Sequence, residues 1–167
     1  YGSKEFVGGS GFLLNDEMDD FSAKAGAPNL YGLIGSKANE IQPNKRMLSS
    51  MTPTIVEENG KLKMVVGTPG GSTIITSVFQ VVLNTLEMGM NMQQAVEYPR
   101  FHHQWMPEKI TAEPKRFSDE QQMRLQSKGY TFAPVSAIGL VEGILVLPNG
   151  NLQGGADSRG DDTVSAY

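Results

Sequence analysis

The 167-residue sequence contains no cysteine. Disulfides, thiolate metal sites and cysteine nucleophiles are therefore excluded, although this absence leaves the cellular compartment open. Long hydrophobic runs are also missing, because polar residues interrupt the longest candidate, Ile74 to Leu86, and no membrane span is expected. The net charge is −4, and no basic run or basic-aromatic stripe is present. A nucleic-acid partner is not expected.

The composition is that of a folded globular protein, with 39% hydrophobic and 19% charged residues. The length fits one domain, so we expect a single domain over residues 1–167. The 19 glycines and 9 prolines separate short apolar runs, which is typical of strands and turns, and one stretch is strongly helical. The pattern predicts the α+β fold class.

Strands are predicted from short apolar runs. Residues 11–14 form one candidate strand, which leads into an acidic segment. Residues 54–57 and 62–66 flank Asn59-Gly60, a sequence typical of a hairpin turn. A second hairpin is predicted where residues 144–147 and 152–153 flank another turn.

Helices are predicted from apolar spacing and from capping signals. The spacing over residues 74–86 is that of one buried helical face, with an end near Gly89. Asn91 and Ser118 each precede a glutamine by three residues, which predicts two further helices with capping boxes. Between these elements and the first strand, residues 25–42 are rich in glycine and proline, and we interpret them as a functional loop that acts as a lid.

A glycine-rich loop, residues 67–72, leaves a predicted strand and opens a predicted helix. Backbone N–H groups and the helix dipole favour negative charge at such a point, so an oxyanion would be stabilised there. The loop does not match a phosphate-binding loop, because the spacing and the lysine are absent. A tight turn that requires flexible glycines is the alternative.

Two pairs of polar residues are candidates for binding. Ser49 and Ser50 offer adjacent hydroxyls that can hold a carboxylate, or can satisfy the local backbone. Glu17 and Asp20 can receive an ammonium group, or can lie on a solvated turn or a loose calcium site; the EF-hand pattern is not met. The neighbouring His102 and His103 point to opposite sides of an extended chain, so a structural hydrogen-bonding role is expected for each instead of a shared metal.

Four longer segments, taken in order, resemble the small subunit of the γ-glutamyltransferases, and a fifth extends the resemblance over essentially the whole chain. They are residues 14–22, 43–51, 67–72, 99–105 and 154–162. Smaller departures from the family pattern are Met47 and Ser158, where the family commonly has proline.

The resemblance implies an N-terminal-nucleophile hydrolase with four layers in the order αββα, of which this chain would form the small-subunit part. It implies a precursor that cleaves itself, a heterodimer with a large subunit, no cofactor, and a periplasmic or extracellular location. The implied reaction is transfer of the γ-glutamyl group of glutathione or a related amide to water or to an amino-acid or peptide acceptor, through a glutamyl-threonine ester.

The resemblance also implies a role for each candidate residue. Glu17 and Asp20 would hold the α-ammonium of the glutamyl group, and Ser49 and Ser50 its α-carboxylate. The N–H groups of Gly70 and Gly71 would bind the oxyanion. Tyr31 matches the position of an aromatic gate over the pocket.

The catalytic threonine of the family falls in a segment that precedes the stretch matching this chain. The internal threonines have no free amine and cannot replace it, so we expect the chain by itself to be inactive. A non-catalytic module that binds γ-glutamyl compounds is the alternative from another class. Related enzymes acting on poly-γ-glutamate or on a β-lactam side chain also stay open, but the serine and acidic pairs favour a free glutamyl end.

Overall fold

The structure, a computed structural model, describes residues 3–29 and 32–166. The chain divides into two compact units, Tyr1–Ser50 and Met51–Tyr167, which are described separately. The expectation of a single domain over residues 1–167 stays a prediction.

The described residues of the first unit, 3–29 and 32–50, form loops and two 3₁₀ turns, Glu17–Asp20 and Lys37–Asn39. The strand predicted at residues 11–14 is wrong, since this segment forms only an isolated bridge from Leu13 to Phe6, flanked by backbone hydrogen bonds of Phe12 and Leu14. Gly9 and Gly11 have φ angles of 80° and 72°, so the backbone turns away from the extended conformation at the start of this segment. The apolar side chains that follow are exposed and gain little from a regular strand.

Residues 51–166 of the second unit form three α-helices, seven strands and the 3₁₀ turn Gly71–Thr73. The helices are α1 (Ile74–Leu86), α2 (Met92–Glu97) and α3 (Asp119–Gln126). The strands are β1 (Thr54–Glu58), β2 (Lys61–Gly67), β3 (Phe101–His103), β4 (Ile110–Ala112), β5 (Phe132–Pro134), β6 (Glu142–Val146) and β7 (Leu152–Gly155). All three predicted helices are confirmed, and α2 and α3 begin with the expected capping boxes.

Four strands form an antiparallel sheet in the order β1-β2-β6-β7, which confirms both predicted hairpins. Asn59 and Gly60 close the first hairpin with φ angles of 54° and 73°, as such turns require. The short strands β3, β4 and β5 form a second sheet that the sequence did not predict.

The core lies between one face of the four-stranded sheet and helices α1 and α2. Met64 and Val66 of β2 are buried against it, while Val65 between them faces the other way and is 39% exposed. Gly143 and Gly155 are paired across β6 and β7, and a Cβ on either would lie within 2.8 Å of Met92. Glycine at both positions therefore lets α2 pack closely on the sheet. Within residues 3–29 and 32–166, no helix is long and apolar enough to span a bilayer.

Candidate active site

The acidic candidates lie on the 3₁₀ turn Glu17–Asp20 of the first unit. The Asn15 side chain accepts the N–H of Glu17 at 3.2 Å and so fixes the start of this turn. Phe21, immediately after it, is 6% exposed and anchors the end of the turn. Glu17 and Asp20 are half-buried, so solvent screens their carboxylates less than those of fully exposed acids.

The serine pair lies beside this turn, although 30 positions separate Asp20 from Ser50 in the sequence. The Ser50 hydroxyl donates to Oδ2 of Asp20 at 3.4 Å. Ser50 is half-buried and Ser49 is exposed. The fold therefore brings together one predicted acid and one predicted serine.

Asn39 joins these two segments and was missed by the sequence analysis. Its side-chain amide donates to the carbonyl of Asp20 at 2.6 Å and accepts the N–H of Leu48 at 3.1 Å. Asparagine in a loop commonly binds backbone groups, and its residue type was the one sequence signal that could have indicated this role. That signal does not identify which backbone groups are bound.

The glycine pair lies in the second unit, where Gly70 precedes and Gly71 begins the 3₁₀ turn Gly71–Thr73, which follows β2 and leads into α1. Gly70 has φ 147° and Gly71 has φ 56°, conformations that other residues rarely adopt. The Gly70 carbonyl accepts from the N–H and the hydroxyl of Thr73, at 3.1 and 2.9 Å. Among the described residues nothing accepts the N–H of Gly70 or Gly71, so both can donate to an external oxyanion.

Residues 139–140 contact Thr68 and so stabilise this loop. The Thr68 hydroxyl donates to the Pro69 carbonyl at 2.7 Å and accepts the N–H of Leu140 at 2.9 Å. Gly139 has φ 68°, and a Cβ there would lie 2.9 Å from Oγ1 of Thr68. The contacts of Thr68 thus hold the loop backbone on one side, and they do not use the glycine N–H groups.

A buried ionic network holds the segment that contains these supporting residues. Arg100 and Asp157 are 1% and 0% exposed and form an ion pair at 2.5 Å. Arg159 pairs with both Asp157 and Glu113. The network also binds backbone groups. Arg100 donates to the carbonyl of Ile138, and Glu113 accepts the N–H of Ile138. Asp157 accepts the N–H of Val141.

The two carboxylates of this network stay ionised at neutral pH. Burial opposes the ionised form of Glu113, but Arg159 and the N–H groups of Arg100 and Ile138 lower the pKa of this carboxyl below its usual value. Burial likewise opposes ionisation of Asp157, and the N–H of Val141 with Arg159 and Arg100 lowers its pKa. Hydrogen bonds to the charged form outweigh desolvation in both cases.

Replacing Asp157 by asparagine is expected to lower the free energy of unfolding by about 3–5 kcal/mol, because it leaves buried Arg100 without a counter-charge. Glu58→Gln is the matched control, since Glu58 pairs with Lys63 at 3.3 Å while 64% exposed. That change should cost no more than about 1 kcal/mol. Urea denaturation of both variants measures the difference. An equal loss of unfolding free energy in the two variants would contradict the expectation that the buried ion pair contributes more than the exposed one.

The predicted structural hydrogen-bonding role is confirmed for His102, whereas the buried Nε2 of His103 has no hydrogen-bond partner among the described residues. His102 lies 2.8 Å from the Thr76 hydroxyl through Nδ1 and 2.7 Å from Gln104 through Nε2. His103 packs edge-on against Tyr130, with ring centroids 5.6 Å apart. In the described part of the chain, no three acidic or histidine side chains are grouped to hold a metal ion. Tyr31, the predicted gate, lies outside the described residues.

The sequence profile of the family described as Gamma-glutamyltranspeptidase matches residues 1–167. The chain is 49% identical over 166 residues to a glutathione hydrolase proenzyme of Escherichia coli, which covers 99% of the chain and 28% of that relative. It is 52% identical over 146 residues to the glutathione hydrolase proenzyme of Pseudomonas sp. strain A14, covering 87% of the chain and 25% of the relative. The chain thus spans about a quarter of the length of these relatives.

Solved structures of gamma-glutamyltranspeptidases are also similar to this chain. A T380A mutant of Helicobacter pylori gamma-glutamyltranspeptidase matches with a TM-score of 0.88 and 48% identity, covering 95% of this chain and 87% of that one. The Bacillus anthracis transpeptidase CapD matches with a TM-score of 0.71 at 19% identity, covering 99% of this chain and 86% of that one. The second similarity concerns the fold alone. The predicted α+β class of the N-terminal-nucleophile hydrolase type is confirmed.

Proposed function

The chain belongs to the gamma-glutamyltranspeptidase family, and from that premise we propose that it supplies the glutamyl-binding and oxyanion-binding part of an enzyme that transfers γ-glutamyl groups. The donor is glutathione or a related γ-glutamyl amide. The acceptor is water, an amino acid or a peptide.

The contact between Ser50 and Asp20 is the observation that carries this proposal. A free glutamyl end has an ammonium and a carboxylate on one carbon atom, so its binding site needs an acid and a neutral donor side by side. Asp20, with Glu17 on the same turn, is assigned to the ammonium. Ser50 and Ser49 are assigned to the α-carboxylate. Tyr31 is proposed to cover the occupied pocket.

The proposed reaction is acyl transfer through a covalent ester. A threonine of the whole protein, outside residues 1–167, attacks the γ-carbonyl carbon, and its α-amino group takes the hydroxyl proton. The carbonyl oxygen becomes negatively charged and accepts hydrogen bonds from the N–H groups of Gly70 and Gly71. The C–N bond then breaks, and the leaving amine takes the proton. Water or an acceptor amine attacks the ester and regenerates the threonine.

A large subunit is the proposed partner, and an apolar sheet face supports this. Ile55, Val65 and Ile144 are aligned across β1, β2 and β6 on the face opposite the helices, and they are 68%, 39% and 46% exposed. Such a row of exposed apolar residues is typical of a face that another layer covers. A periplasmic or extracellular location is proposed from the family alone.

Ile144→Asp in the complete protein is expected to weaken association with the large subunit by about tenfold or more, because it places a charge in an apolar interface. Met123→Asp is the matched control, since Met123 on α3 is 61% exposed and lies away from this face. Co-purification of the two subunits, followed by size-exclusion chromatography, gives the readout. If both variants assemble equally well, this face is not the interface.

Incubation of the complete protein with L-γ-glutamyl-p-nitroanilide, with and without glycylglycine, tests the proposed function. We expect release of nitroaniline, and formation of γ-glutamyl-glycylglycine when the acceptor is present. Tight binding of L-glutamate with no release would favour the non-catalytic binding module instead. Release without any glutamyl transfer product would restrict the activity to hydrolysis.

A further inference from the structure

We infer that Asn39 is a positioning residue that sets the distance between the acidic turn and the serine segment, and thereby the selectivity for donors with both charged ends. This inference rests on the proposed function, because it assigns the two segments to the two ends of one substrate. It concerns only the first unit of the chain.

The side chain of Asn39 contacts both segments at once. Nδ2 donates to the carbonyl of Asp20 at 2.6 Å, and Oδ1 accepts the N–H of Leu48 at 3.1 Å. Asp20 is an assigned ammonium ligand, and Leu48 directly precedes the serine pair. One planar amide therefore bridges the backbones that carry the two groups of ligands.

Further contacts hold Asn39 itself in place. Its backbone carbonyl accepts the N–H of Ser22 at 2.9 Å, just after the acidic turn. Lys45 lies in the segment that leads to the serine pair, and its Nζ donates to the carbonyls of Ala38 and Glu40, at 2.6 and 3.0 Å. The 3₁₀ turn Lys37–Asn39 is thus fixed to both neighbours, so this end of the loop 25–42 does not move with the proposed lid and the Asn39 amide has a defined position.

The direct contact between the two segments is weaker than this bridge. The Ser50 hydroxyl and the Asp20 carboxylate are 3.4 Å apart, near the upper limit for a hydrogen bond. Both groups must also turn toward the substrate when it binds. The spacing of the ligands then depends on contacts that the substrate does not disturb, and the backbone contacts of Asn39 meet that condition.

Only an amide provides a donor and an acceptor in this arrangement. Alanine at position 39 removes both contacts, and aspartate keeps an acceptor for the Leu48 N–H but has no donor for the Asp20 carbonyl. Asn39→Ala should leave the chemistry at the γ-carbonyl intact, because the described hydrogen bonds of the Asn39 side chain are to the backbone of Asp20 and Leu48. The loss should fall on the binding of the charged ends.

Three anilide donors test this in the complete enzyme: L-γ-glutamyl, glutaryl, which lacks the ammonium, and 4-aminobutyryl, which lacks the α-carboxylate. Asn39→Ala is expected to raise KM for the γ-glutamyl donor about tenfold while kcat changes less than about threefold. Its preference for that donor over each truncated donor should fall by about the same tenfold factor. Asn39→Asp should also raise KM for the γ-glutamyl donor. It replaces Asn39→Ala in this test if the alanine variant does not fold.

Asn149→Ala is the matched control. The Asn149 side chain also accepts one backbone N–H, that of Asn151 at 3.0 Å, but it lies in the turn between β6 and β7. This variant should keep the KM and donor preference of the unsubstituted enzyme. The inference is overturned if Asn39→Ala leaves KM and donor preference unchanged, or if it lowers activity toward all three donors by one common factor.

A binding measurement separates failure of this inference from failure of the proposed function. If the unsubstituted protein releases no amine from any donor, the proposed function fails. Calorimetric titration with L-glutamate then still tests Asn39. Binding that is about tenfold weaker in Asn39→Ala than in Asn149→Ala supports the positioning role, and equal binding overturns it.

Discussion

Replacing Asp20 by alanine in the complete enzyme is expected to lower kcat/KM for a γ-glutamyl donor by about 100-fold or more, equivalent to about 2.7 kcal/mol of transition-state stabilisation. The substrate ammonium loses its charged partner when it leaves water. The half-buried position of Asp20 makes this loss larger than for a surface ion pair. Initial rates at low donor concentration measure kcat/KM directly.

Asp16→Ala is the matched control for Asp20→Ala. Asp16 lies directly before the same 3₁₀ turn, is exposed, and makes no side-chain capping hydrogen bond. Its removal changes the local charge by the same amount without removing an assigned ligand, so kcat/KM should change by less than about threefold. A comparable loss in both variants would indicate a general effect of negative charge. An unchanged value for Asp20→Ala would remove Asp20 from the site.

Gly70→Ala is expected to lower kcat by about 100- to 1000-fold with little change in KM, because the oxyanion develops only after the donor has bound. Gly70 has φ 147°, and a Cβ there would lie 2.7 Å from Oγ1 of Thr73. The added methyl group must therefore displace either the loop or the threonine that orients the Gly70 carbonyl. A shift of either kind misaligns the two N–H donors.

Gly150→Ala separates this effect from the general cost of placing alanine at a positive φ. Gly150 has φ 85°, and a Cβ there would meet nothing within 4 Å. The control should lose some stability and keep its kcat. Steady-state kinetics and thermal denaturation of both variants give the comparison. A rise in KM for Gly70→Ala at constant kcat would contradict the assignment of this loop to the oxyanion.

The hairpins and helices of the second unit could be predicted because their signals are local. Asn59-Gly60 specifies a tight turn, and the apolar spacing of residues 74–86 is satisfied by packing on one sheet. The same reasoning failed at residues 11–14, where apolar residues have no core to contact. It also missed the sheet of β3, β4 and β5, since strands of three residues carry too little periodicity.

The candidate site could be predicted only as far as its chemistry follows from residue type. Acids, hydroxyls and paired glycines predicted the candidate ligands Asp20, Ser50 and Gly70. The residues that hold these candidates in place could not be predicted, because each depends on a contact between positions distant in the sequence. Asn39 holds segments on both of its sides, and the pairing of Arg100 with Asp157 spans 57 positions. Such contacts arise from the tertiary fold and leave no pattern in the neighbouring sequence.

The central claim is that Asp20 and the serine pair bind the two charged ends of the glutamyl group. A crystal structure of the complete protein with L-glutamate bound would test it most directly. The claim predicts that the ammonium lies within hydrogen-bonding distance of the Asp20 carboxylate and that the α-carboxylate lies at the hydroxyls of Ser49 and Ser50. Glutamate bound in the reverse orientation, or at a place that contacts neither Asp20 nor the serine pair, would contradict it.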